Sequence, residues 1–210
     1  MSTNEIAADG LETELTADDV LADVRSTARA MVRGGCCTFE QVLGRALEIA
    51  ALADDAPAAG SVERVVRLEW DARAAVLAGR REGSSDHLRV ERAFAALERE
   101  GVAARLGLAC CQECGERELR REVPDGGAYA VVTRPDLEQV PAGRLVVRCG
   151  VLAPDVDVEV ADATTTSREA GDVPARVAAA LAAQGLDARA SGNSVVVHVR
   201  DWRKPLPAVA

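Results

Sequence analysis

Asp86-His87-Leu88-Arg89-Val90-Glu91-Arg92-Ala93-Phe94-Ala95-Ala96-Leu97-Glu98-Arg99, then Gly101-Val102-Ala103-Ala104-Arg105-Leu106-Gly107-Leu108-Ala109, then Cys110-Cys111-Gln112-Glu113-Cys114-Gly115, is the stretch that decides the fold. Its first part has the period of a helix. Val90, Phe94 and Leu97 fall on one stripe, Arg89, Arg92, Glu98 and Glu100 lie opposite, and Ser84, Ser85 and Asp86 offer capping oxygens. Arg99 and Gly101 close that helix, because glycine takes the left-handed conformation without a Cβ clash. The period then drops to two. Val102, Ala104, Leu106 and Leu108 alternate with Ala103, Arg105, Gly107 and Ala109, as in a half-buried strand. Carried onward, that register points Cys110 into the core and Cys111 away from it. Gln112 to Glu122 reads as a short charged helix ended by Pro124.

Upstream, the chain is helical. Thr16 with Asp19 and Thr38 with Gln41 have the spacing of capping boxes. The stripes that follow are Val20, Val24, Ala28 and Met31, then Leu43, Leu47 and Ala50. Gly34 and Gly35 end the first helix, and a loop holding Pro57 precedes a longer one with Val62, Val66, Trp70, Ala74 and Leu77. Downstream, strands are predicted at Tyr129–Thr133 and Leu145–Cys149, with an acidic edge strand at Val156, Val158 and Val160. Thr164-Thr165-Thr166-Ser167 reads as a polar loop. Asp172 is placed as the cap of a helix carrying Pro174 in its first turn, followed by a hairpin around Gly192-Asn193.

The order from Val102 is strand, helix, strand, strand, helix, strand. It predicts an α+β fold: an N-terminal helical region followed by a ferredoxin-like (split βαβ) sheet-and-helix domain. A thioredoxin-like arrangement shares the strand–CxxC–helix opening, and the closing hairpin favours the ferredoxin-like one. The expected organisation is a disordered acidic tail over 1–15, a helical region over 16–82, the α+β domain over 84–203 and a loose tail over 204–210.

Composition narrows the function classes. The net charge is −9 and lysine occurs once, at Lys204. Such a chain repels phosphate backbones at long range, so no nucleic-acid partner is expected. No basic start followed by an apolar run opens the chain, and no stretch approaches the roughly eighteen apolar residues of a membrane span, so no membrane association is expected. The six cysteines are then expected as free thiols in a reducing cytoplasm.

The run Arg92-Ala93-Phe94-Ala95-Ala96-Leu97, then Gly101-Val102-Ala103-Ala104-Arg105, then Cys110-Cys111-x-x-Cys114-Gly115-x-x-Glu118, resembles a family of uncharacterised bacterial proteins catalogued as a domain of unknown function. The resemblance runs from about Trp70 through Leu145–Gly150 and Val177–Leu186 to the terminal Asp201-Trp202-Arg203. It implies no activity, substrate or assigned site. Thr133 stands where the family's strand carries a histidine, and Cys149 where an aromatic is usual.

Three readings compete for the cysteines. As metal ligands, Cys110, Cys111 and Cys114, with Glu118 on the same helix side, offer half of a zinc site. A closed site then needs a further ligand, such as Cys36, Cys37, Cys149 or His87. As a redox dithiol, Cys111 and Cys114 gain from the helix N-terminus and lose from Glu113, Glu116 and Glu118. As packing residues, they fill a tight strand-to-helix corner. Cys36-Cys37 reads as an apolar lead-in to a helix, His198 as an outward strand residue, and His87 as a first-turn neighbour of Asp86 without a nucleophile. No Walker loop, GxGxxG, HExxH or GxSxG pattern occurs. The leading expectation is therefore a non-catalytic regulatory or protein-interaction module. No cofactor is expected on that reading; the alternative is a metal-binding or thiol-redox protein built on Cys110, Cys111 and Cys114, for which zinc is the candidate metal.

Overall fold

The computed structural model describes residues 16–79, 85–153 and 163–207. The expected tail at 1–15, Ser84 and the acidic strand at Val156–Val160 lie outside the described residues. Helices α1 (Ala17–Gly34), α2 (Phe39–Ala50) and α3 (Ala59–Ala78) open the fold. Both predicted capping boxes form: Thr16 with Asp19 and Thr38 with Gln41 each satisfy otherwise orphaned backbone donors. Val20, Val24 and Ala28 from α1 meet Val42 and Ala46 from α2 and Val62 and Val66 from α3 in one apolar cluster. Phe39 and Trp70 pack edge to face at 5.6 Å, and the Arg67 guanidinium lies 4.0 Å over the Phe39 ring.

The rest is α+β. Helix α4 (Asp86–Arg99) leads into β1 (Ala103–Leu108), α5 (Gln112–Glu122), β2 (Gly127–Thr133), a short α6 (Arg134–Glu138) with a 3-10 turn, β3 (Arg144–Leu152), α7 (Ala163–Ala183), β4 (Asp187–Ser191) and β5 (Ser194–His198). The strands form a five-stranded mixed sheet in the order β1-β2-β3-β5-β4. Alternation along β2 explains the layers. Ala130 and Val132 join the cluster filled by α4 and α7, while Tyr129 and Val131 face Leu119 of α5 on the other side.

The pairing corrects the ferredoxin-like expectation. A split βαβ unit places another strand between the two it connects, whereas β1 and β2 hydrogen-bond to each other directly and in parallel. Strand order is a tertiary choice, and the same succession of elements along the chain is compatible with several. Two local expectations also change. Helix α7 begins at Ala163, not at Asp172, so Thr164–Ser167 is helical backbone and Pro174 lies inside the helix. Helix α6 was not foreseen, although Thr133 and Asp136 form a third capping box with Pro135 in the first turn.

The segment after β5 ties the two cores together. Trp202 is buried, and its indole N–H donates to the Gly34 carbonyl at 3.3 Å. Arg73 of α3 donates to the Trp202 carbonyl at 2.9 Å, and Leu206 packs against the bundle cluster.

Candidate functional site

The corner between β1 and α5 is where the strand reading fails, and that failure makes the site. Gly107 has φ +78° and sits at a register shift between Leu106 and Leu108. A Cβ at Gly107 would come within 2.7 Å of the Cys36 sulfur, so both backbone angle and space require glycine. Ala109 follows in the left-handed region at φ 53°, and its carbonyl accepts the Arg134 N–H at 3.2 Å. The two departures break the alternation that would have carried Cys110 inward. Cys110 and Cys111 are exposed and Cys114 is half-buried. The expectation of a core-facing Cys110 is thereby corrected.

Cys111 is the N-cap of α5, with its sulfur accepting the Cys114 backbone N–H at 3.4 Å. That N–H, aided by the Cys114 thiol, holds the Cys111 thiol below its ordinary value. Cys114 is pushed up to about 11, first by its hydrogen bond to Cys111 and then by Cys110. Of these two thiols, Cys111 is the one favoured as thiolate. The sulfurs of Cys110, Cys111 and Cys114 all lie within 4.8 Å of one another, the one such group of three potential metal ligands among the described residues.

The residues offered as closing ligands lie elsewhere. Cys37 is buried in the bundle cluster, Cys36 packs against the main core, and burial raises both thiols. Cys149 is buried in the main core and pushed up to about 12. His87 is buried edge to face against Trp202 at 5.2 Å. His198 is exposed, as its strand position predicts.

A polar network that the linear chain does not reveal braces the start of α5. The Tyr129 hydroxyl donates to Glu116 at 2.6 Å, and the Gln112 amide donates to the same carboxylate oxygen at 2.8 Å. Arg148 of β3 grips Asp136 with two bonds of 3.0 Å and reaches the Gln112 carbonyl oxygen at 3.4 Å. Burial, then the Glu116 carboxylate, raises the Tyr129 pKa, so its phenol stays a proton donor. The one legible signal was the Thr133/Asp136 cap.

A family model described as "Domain of unknown function (DUF6891)" matches residues 17–206, spanning the helical bundle, the cysteine corner and the terminal segment. The chain belongs to this family. No curated protein and no solved structure matches it. In this DUF6891 chain the Cys-Cys-x-x-Cys-Gly signature thus corresponds to two exposed cysteines and one half-buried cysteine with converging sulfurs at a helix N-terminus. No helix among the described residues is long and apolar enough to cross a membrane.

Proposed function

We propose that the cysteine corner is a thiolate site for a soft or borderline metal ion, with zinc as the leading candidate and Cys110, Cys111 and Cys114 as its protein ligands. One observation carries this reading: the three sulfurs converge within 4.8 Å of one another, with Cys110 and Cys111 exposed and Cys114 half-buried. Zinc–thiolate bonds of about 2.3 Å in tetrahedral geometry set sulfurs about 3.8 Å apart. Closing the remaining gap of roughly 1 Å takes side-chain rotation of exposed cysteines, which meets little resistance. The dipole and free N–H groups at the start of α5 favour thiolates, while Glu113 and the other acids of the helix favour a nearby cation.

Three protein ligands leave a fourth position for water or an incoming donor, unlike a closed structural site. The corner therefore suits reversible metal capture or presentation better than scaffold building. The interaction-module expectation has no structural support of comparable weight. A dithiol role for Cys111 and Cys114 draws on the depressed Cys111 thiol and is separable by measurement.

The test is elemental analysis and competitive zinc titration of the full chain purified without chelator, beside Cys110→Ser/Cys111→Ser/Cys114→Ser. About one zinc per chain in the parent and none in a folded variant is expected. Parent protein that takes up no zinc or copper(I) would falsify the metal site. If it then showed one rapidly alkylated thiol at neutral pH, the dithiol reading would replace it.

A further inference from the structure

A cleft of about 400 Å³ opens where the helical bundle meets the terminal segment, and it shares no lining residue with the cysteine corner. Five arginines line it, Arg29 and Arg33 from α1, Arg73 from α3, and Arg200 and Arg203 after β5, against two acids, Glu69 and Asp201. In a chain of net charge −9, this is a local reversal of sign. Low-dielectric walls focus such a field and concentrate anions.

The arginines divide into two groups. Arg29 holds Glu69 with two bonds of 2.9 Å, Arg203 pairs with Asp201 at 2.8 Å, and Arg73 donates to the Trp202 carbonyl. These contacts stiffen the walls. Arg33 and Arg200 are exposed; Arg33 adds to the positive field at Glu69, and neither side chain forms a salt bridge within 4 Å with another described residue. Beside them lie the exposed Ala72, Val76 and Pro141, an apolar surface at the same opening. The volume is that of a small-molecule site, and a guanidinium fork matches phosphate oxygens two at a time.

We propose that this cleft binds a small organic phosphate, with the phosphoryl group at Arg33 and Arg200 and the apolar body against Ala72, Val76 and Pro141. The ligand bridges α1 and the segment after β5, so binding stabilises the junction of the two cores. The proposal stands independently of the metal site.

Calorimetric titration of the full chain with phenyl phosphate, in EDTA so that metal at the thiols plays no part, tests it. Benzoate and inorganic phosphate serve as comparison ligands. The expected result is saturable binding with Kd below about 1 mM, weakened at least about tenfold in Arg33→Glu/Arg200→Glu and weakened by added salt. Circular dichroism verifies that variant's fold, and Arg33→Gln/Arg200→Gln replaces it if charge reversal unfolds the chain. No saturable binding of phenyl phosphate up to about 10 mM overturns the proposal, as does binding indifferent to both substitutions. Benzoate binding as tightly as phenyl phosphate overturns the phosphate assignment, and inorganic phosphate binding as tightly overturns the organic part.

Discussion

Asp86 and Asp201 hold each other reciprocally. The Asp201 N–H donates to the Asp86 carboxylate at 2.8 Å, and the Asp86 N–H donates to the Asp201 carbonyl at 2.8 Å. The Arg200 N–H adds a third bond to the same carboxylate oxygen at 2.7 Å. The first residue of α4 thus fastens the segment after β5, and with it the Trp202 side chain that reaches the bundle. Ser85 takes the capping task instead, accepting the Leu88 N–H.

Removing that carboxylate leaves two backbone donors without their charged acceptor. At about 1.5–3 kcal/mol per hydrogen bond to a charged group, Asp86→Ala is expected to cost about 3 kcal/mol in urea unfolding. Ser85→Ala is expected to cost about 1 kcal/mol. Equal, small losses for both would show that the clip contributes no more than a surface cap.

His87 gives stability a pH dependence. Burial first, and Lys204 second, lower its pKa from 6.5 to about 4, so the folded ring is neutral near pH 7. Glu91 lies 3.1 Å from Nε2 without hydrogen-bond geometry, and Asp86 precedes it in the same turn. Because the unfolded chain binds this proton more readily, the contribution is complete above pH 6.5 and is lost as pH falls toward about 4. Stability should decline by up to about 3 kcal/mol across that window. His87→Leu should flatten the slope, and an unchanged slope would assign it to other groups.

The Tyr129 ring lies over Gly150, its partner across the β2–β3 pair. A Cβ at Gly150 would come within 2.7 Å of the ring. Gly150→Ala is therefore expected to destabilise by about 1–3 kcal/mol through overpacking. In a Tyr129→Ala background the same substitution should cost much less, a coupling that a double-mutant cycle reads directly. Additive costs would mean that the ring is not what the new methyl meets.

The cysteines should separate by position. Cys111→Ser and Cys110→Ser, at exposed sites, are expected to change metal-free stability by less than about 0.5 kcal/mol. Cys149→Ser puts a hydroxyl into the main core and is expected to cost about 1–3 kcal/mol. Chelator-treated protein unfolded in urea supplies the comparison. A destabilised Cys111→Ser would support a packing role for the corner.

Metal loading should depend on the brace behind the corner. Gln112→Ala removes the amide that links Glu116 to Arg148, without touching a thiol. Zinc affinity is expected to fall about tenfold or more while circular dichroism is unchanged, as for other residues that orient metal ligands. Unaltered affinity would make the network a matter of stability alone.

Local spacing in the chain determined helices α1 to α5, the caps of α1 and α2, the positions of the described strands and the cysteine-rich helix start, because propensity and periodicity act over a few neighbouring residues. Thr16/Asp19, Thr38/Gln41 and the Gly192-Asn193 hairpin were legible for that reason. Tertiary structure alone decided that β1 lies directly beside β2, and that Asp86 spends its carboxylate on residues far along the chain. It also decided that Cys110 turns outward. Alternation assumes an unbroken strand, and the bulge at Gly107 with the left-handed Ala109 ends that assumption just before the sulfurs. Strand order and long-range polar contacts depend on which surfaces meet, and no short window of residues contains that information.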